Sequence, residues 1–219
     1  WYIPFGQINI GKIIHSWGIL SNNSPTDNLS PTNYYYIFSR GTERKISQIS
    51  LVGDMYFGSH AFGFVFNPNH LGTTIPLNDS ELPLELPLPS NPIINEVNNP
   101  EYALKYTYTG SLFDFELSYF DGYDRSFSLL GLGVDTLNII QVSPKFGYRS
   151  TSVIGLNIVT FIKDFTIRAE SAYFNTLNNY KANWYNYISH FCQVFFIIQV
   201  IVCSFYYYIM YIYCIRNLT

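Results

Sequence analysis

Four histidines, His15, His60, His70 and His190, are the side chains here with an ordinary pKa near neutrality. A Ser–His or Cys–His nucleophile needs such a base within hydrogen-bond reach, oriented by a third group. His60 abuts a Gly58-Ser59 turn, His70 falls in a long loop and His190 falls in an uncharged tail. Only His15 is expected in a strand, and no neighbouring acid marks it as part of a triad. Cys192, Cys203 and Cys214 recur every eleven residues, a spacing that matches no metal-ligand pattern. Asp121-Gly122-Tyr123-Asp124 could offer carboxylates to a calcium ion. It lacks the further oxygen ligands of a calcium loop and reads better as a solvated turn. Asp27, between Pro25 and Pro31, suits pinning a turn better than binding a ligand. No phosphate loop, zinc motif or dinucleotide fingerprint occurs. The residues predict no enzyme, no cofactor and no metal.

Composition narrows the remaining classes. The chain has 219 residues, enough for one domain with a sizeable core. Charged residues make up 12%, about half the ~25% of an average globular domain, while aromatics reach 19%. A disordered chain would be charge-rich and poor in aromatics, and a coiled coil would need Glu, Lys, Leu and Ala at heptad spacing. A net charge of −3 argues against an electrostatic nucleic-acid binder.

The elements that must position these residues follow a period of two up to residue 181. Alternation marks seven strands: Pro4 to Trp17, Lys45 to Phe57, His60 to Asn67, Tyr102 to Thr109, Leu112 to Asp121, Lys145 to Ile162 and Phe165 to Tyr173. Short turns at Gly58-Ser59, Gly110-Ser111 and Lys163-Asp164 alternate with long polar loops near Gly18 to Glu43, Pro68 to Glu101 and Gly122 to Pro144. Such alternation places every long loop at one end, as in outer-membrane barrels with short periplasmic turns and longer extracellular loops. The Pro-rich stretch Pro76 to Pro92 cannot enter a sheet interior. It is either a solvated surface loop or a loop folded into the lumen to narrow a pore.

A sheet crossing a bilayer must leave no open edge and must show lipid to one face and water to the other. Phe, Tyr, Leu and Ile occupy one face of the predicted strands, with tyrosines near strand ends where interfacial girdles sit. The other face holds Asp54, Lys105, Asp114, Glu116, Lys145, Arg149, Arg168 and Glu170, which are expected to line a lumen. Their opposed signs could tune ion selectivity or could simply satisfy one another across neighbouring strands. The fold class expected is all-β, an antiparallel transmembrane β-barrel of which about seven strands are visible.

The ends differ from this body. Residue 1 is Trp, and no signal-peptide pattern precedes the first strand. From Ala182 to Ile215 no Asp, Glu, Lys or Arg occurs, and alternation is lost. Residues 182–219 are therefore expected to form an apolar tail outside the barrel. They would be either a membrane-spanning helix or sequence foreign to the domain, such as a frame-shifted end. The second is preferred, because a long apolar run would trap an exported barrel in the inner membrane. Seven strands is odd, whereas bacterial single-chain barrels have even numbers. Residues 1–181 are accordingly expected to be part of a barrel, in a fragment.

Gly11-Lys12-Ile13-Ile14-His15-Ser16-Trp17-Gly18, followed by Pro25-Thr26-Asp27-Asn28-Leu29-Ser30-Pro31, resembles the GRQ-x-x-x-WG and P-x-D-x-x-x-P signature of large porin-like outer-membrane barrels of Gram-negative bacteria. Gly11, Lys12, Trp17, Gly18, Pro25, Asp27 and Pro31 carry the likeness. Lys12 replaces the usual Arg and Ile13 the usual Gln. The resemblance implies an outer-membrane channel and brings no catalytic residues. The function expected is passage of small polar or amphipathic solutes by diffusion. The partners expected are the bilayer and those solutes, with no nucleic acid, and a homo-oligomer is left open. The alternatives are a structural or adhesin-type barrel and, less favoured, an outer-membrane enzyme.

Overall fold

The computed structural model describes residues 1–19, 24–36, 38–39, 41–76, 93–135, 141–162, 165–177, 188–202 and 205–216. The expected turn at Lys163-Asp164 and most of the Pro76 to Pro92 stretch lie outside them. The chain is all-β and antiparallel in its main sheet. That sheet runs β1 (Tyr2–Ile3), β2 (Gly6–Ile13), β3 (Gln48–Phe57), β4 (His60–Asn67), β6 (Glu101–Thr109), β7 (Phe113–Tyr123), β10 (Ser150–Ile162), β11 (Phe165–Leu177), β12 (Ile188–Val202) and β13 (Phe205–Arg216), in that spatial order. It is open, with β1 and β13 at its edges. A smaller sheet, ordered β5 (Ile93–Asn95), β9 (Gln141–Gly147) and β8 (Ser128–Asp135), is built from the long connections.

Each of the seven expected strands has its counterpart, and neighbours in sequence pair as hairpins. Gly58 turns with φ of 59° between β3 and β4, a left-handed conformation that glycine adopts without a Cβ penalty. The connections 14–47, 68–100 and 124–149 all leave from the opposite end of the sheet.

Three expectations need correction. The run from Lys145 to Ile162 is two strands, β9 in the small sheet and β10 in the main one. The break falls at Tyr148-Arg149, and Pro144 lies inside β9, paired with Leu132 of β8. β5 covers only Lys145 to Gly147 of β9, so Pro144 has a free edge beside it. The long polar loops, second, hold the small sheet. Third, the tail was expected outside the sheet, as foreign sequence or, less favoured, a helix. Its backbone forms β12 and β13, which extend the main sheet from β11 in continuous register from Leu177↔Ile188 to Phe165↔Val200. Dense β-branched and aromatic residues are compatible with strand more than with helix.

The polarity of the main sheet is inverted relative to an ordinary half-buried sheet. On one face the large apolar side chains are exposed, Ile49 at 61% and Leu104 at 54% among them. The other face carries the polar residues and is the covered one: Gln48, Ser50, Asn67, Glu101, Ser118, Asn157, Glu170 and Thr176 are buried. The register arranges this polar face in rows. Glu101 heads one near the long connections. Next comes an apolar row across six strands, Val52, Val65, Ala103, Phe120, Val153 and Phe174. Below it run Asp54, Gly63, Lys105, Ser118, Gly155 and Ala172, and then Thr107, Glu116, Asn157 and Glu170.

Residues 14–19, which leave β2, and 24–31 fold as a strap over this polar face. Trp17 and Leu29 of the strap pack with Val52, Val65, Ala103, Phe120, Val153 and Ala172 to make the one core cluster of buried apolar residues among those described. The core thus sits between strap and sheet.

Candidate functional site on the polar face

Glu170 is the anchor of the strap. Its side chain projects from β11 and the residue is 1% exposed. A carboxylate this deep is costly unless donors surround it. Thr26 gives its backbone N–H at 3.1 Å and its hydroxyl at 2.6 Å, Ile19 gives its N–H at 3.2 Å, and the Ser24 hydroxyl also donates. Charge-assisted bonds of this kind are about twice as strong as neutral ones. Gly18 makes the approach possible: its φ is 90°, and a Cβ there would lie 2.7 Å from Glu170 Oε1. Gly155, in the neighbouring row, lacks a side chain where the Thr26 methyl sits. Asn157 donates to Glu116 Oε1 at 2.9 Å, and Lys105 Nζ lies 3.5 Å from Glu116 Oε2 and 5.2 Å from the Trp17 ring centroid.

A second set of contacts pins the strap at its other end. Asp27 pairs with Lys45 and accepts the Trp17 N–H at 3.3 Å. Burial pushes the Asp27 carboxyl up and the Lys45 ammonium down, while each one's charge opposes the other's shift. His15 Nε2 lies 3.0 Å from Ser50 Oγ. Burial, then the charge of Lys45, lowers the His15 pKa to about 4. This Ser–His pair is sealed: Ser50 is 1% exposed and its hydroxyl donates to Asn67 Oδ1 at 2.6 Å. His15 was expected in the first strand, but β2 stops at Ile13 and His15 begins the strap.

Sequence reading missed the Glu101 cluster. Glu101, 0% exposed, faces His70 Nδ1 at 2.8 Å through Oε1 and accepts from Arg125 Nη2 at 2.8 Å through Oε2. Arg125 Nε donates to the Asn28 carbonyl at 2.7 Å, which ties the strap to the β7–β8 connection. Burial pulls the Arg125 guanidinium down and Glu101 opposes that. Glu101 was within reach of the alternation, since it shares parity with Ala103 and Lys105. Arg125 lies past the end of β7 and gives no local signal.

The eight charged residues expected on one face divide. Asp54, Lys105, Asp114, Glu116, Arg168 and Glu170 belong to the polar face by register. Asp54 accepts from Gln7 Nε2 at 3.0 Å. Lys145 is exposed on β9 of the small sheet, and Arg149 lies between β9 and β10, paired with Asp124 at 2.9 Å. Of the residues that carry the family likeness, Gly11 and Lys12 sit in β2, and Trp17, Gly18, Pro25, Asp27 and Pro31 in the strap. Asp121 and Asp124 diverge, the first to Ser152 and the second to Arg149 and Thr151. Among the described residues no group of three His, Cys, Asp or Glu is placed to hold a metal. His190, Cys192, Cys203 and Cys214 have no described side chains.

No family model, no curated protein and no solved structure matches this chain.

Proposed function

We propose that the chain forms part of the wall of a bacterial outer-membrane β-barrel channel that passes small solutes by diffusion, with the strap narrowing the path. The observation that carries this is the inverted polarity of the main sheet. Large apolar side chains exposed on strand after strand of one face are unusual on a soluble monomer, and lipid removes that cost. Three features support the reading. Wall strands β2 onward, of 8 to 15 residues, bracket the about 9–11 that a tilted strand needs to cross a bilayer. At the short-turn end, Phe5, Phe57, Phe62, Tyr106, Tyr108, Phe113 and Phe115 form a chain of ring contacts, as an interfacial girdle would. The strap residues also carry the porin-like resemblance. In lipid both edge strands of the open sheet must find partners.

Planar-bilayer recording tests this. The protein should insert and conduct, and heating should change its gel migration. Replacing Asp114 and Glu116 together by Asn and Gln should shift cation over anion preference toward anions. Unchanged selectivity in a conducting protein removes these carboxylates from the path. The strap's coverage of the polar face favours one second reading, a plugged structural barrel. Membrane insertion with no conductance selects that reading.

A further inference from the structure

A cleft of about 330 Å³ opens on the polar face near the long connections, between the strap and strands β7 and β10. Its floor is apolar, made of Phe120 and Val153, both buried in the core cluster. Its rim is polar and holds Asn28, Ser126, Ser128 and Arg149.

The two arginines on this rim differ. Arg125 is committed: its three nitrogens serve the Asn28 carbonyl, the Leu71 carbonyl and Glu101. Arg149 is held on one edge alone. Asp124 Oδ2 takes its Nε at 3.0 Å and its Nη2 at 2.9 Å. Asp124 is fixed in turn, because Oδ1 accepts from Thr151 at 2.6 Å and its backbone N–H reaches the Arg149 carbonyl at 2.9 Å. Among the described residues Arg149 Nη1 has no partner, and the Arg149 side chain is 31% exposed. A guanidinium has donors on two edges, and the free edge fits a second carboxylate side-on. The hydroxyls of Ser126 and Ser128 also have no partner among the described residues.

We propose that this cleft is a subsite for a small organic carboxylate with an apolar body. Arg149 takes the carboxylate on its free edge, the serine hydroxyls flank it, and Phe120 and Val153 carry the body. Asp124 is a positioning residue that presents the guanidinium. The subsite rests on the channel reading for its purpose, as a resting point at the mouth of the path, and assigns that path a solute class. A neutral polyol would use the hydroxyls and leave the guanidinium edge empty, so charge is what separates the two ligands.

Saturation-transfer NMR on the full chain in detergent micelles, with hexanoate, hexanamide and glucose as probes, tests it. Hexanoate should bind saturably, and hexanamide at least about tenfold more weakly. Rising salt should weaken hexanoate alone. Arg149→Gln should cost hexanoate about tenfold or more, and Arg149→Lys should recover part of it. Equal binding of hexanoate and hexanamide, binding of glucose in preference to both, or indifference to Arg149→Gln overturns the subsite. If Arg149→Gln fails to fold, the comparison of hexanoate with hexanamide on the unaltered chain still decides. Bilayer recording separates the two claims. Hexanoate binding without conductance overturns the channel and leaves the subsite, and conductance without hexanoate binding does the reverse.

Discussion

The two faces of the main sheet use the same backbone for opposite purposes. Leu117 and Ser118 are neighbours on β7, yet Leu117 is 48% exposed and Ser118 is buried. On the apolar face side chains touch rings and aliphatic groups on adjacent strands, and many of them, Ile49 and Leu104 included, stay exposed. On the polar face they reach across to the strap, and buried Glu170 gathers donors from residues more than a hundred positions away. An ordinary domain hides its apolar face and wets its polar one. Here the polar face is hidden because the chain supplies its own cover, and the apolar face is the one left exposed.

The comparison breaks most severely where a buried charge loses its partner. Arg125→Met should leave Glu101 uncompensated and cost about 3–5 kcal/mol, read as loss of the heat-modifiable form. The faces are separated most directly by one substitution made on each. Leu117→Lys should cost about 2–4 kcal/mol in a lipid-facing band. Thr107→Lys, beside Glu116 in the register, should cost under about 1 kcal/mol. Equal costs, measured by urea-dependent loss of folded protein in bilayers, would deny the polarity assignment.

Acid should act on the strap alone. The folded-state pKa of His15, about 4, lies below its unfolded value of 6.5. The stability it contributes is complete above pH 6.5 and is lost as pH falls through 4, with about 2 kcal/mol gone by pH 5. Asp27, pushed up by burial, acts in the opposite direction over its own range. Amide exchange at Ile19 and Thr26 should therefore quicken between pH 6.5 and 5 while β10 and β11 stay protected, and His15→Asn should flatten that dependence. Gly18→Ala comes last. Strain at φ of 90° and the approach to Glu170 should cost about 1–3 kcal/mol, confined to the same amides.

Most of the strand framework was legible because alternation is a local signal. Ile49, Leu51, Met55 and Phe57 declare one face of β3 with no knowledge of the rest of the chain. The same parity gave six of the eight charged positions. Lys145 and Arg149 fall elsewhere because a single run of alternating residues hides a change of sheet at Tyr148-Arg149, and two strands in different sheets have the same period as one long strand. The tail failed for the reverse reason: β12 and β13 lack alternation, and only their pairing with β11 identifies them. The strap was illegible for a third reason. Ile19 and Glu170 are 151 positions apart, and nothing near either one names the other. The likeness in Trp17, Gly18 and Asp27 marked the segment without saying where it lies.

The apolar row from Val52 to Phe174 has a consequence for assembly. Each of its six residues comes from a different strand, and a slip of one position in any strand would turn that residue to the opposite face. Trp17 and Leu29 can settle only on a row that is complete. The strap is therefore a gauge of finished register. A sheet with one strand out of step would be left with Glu170 bare and its cover loose.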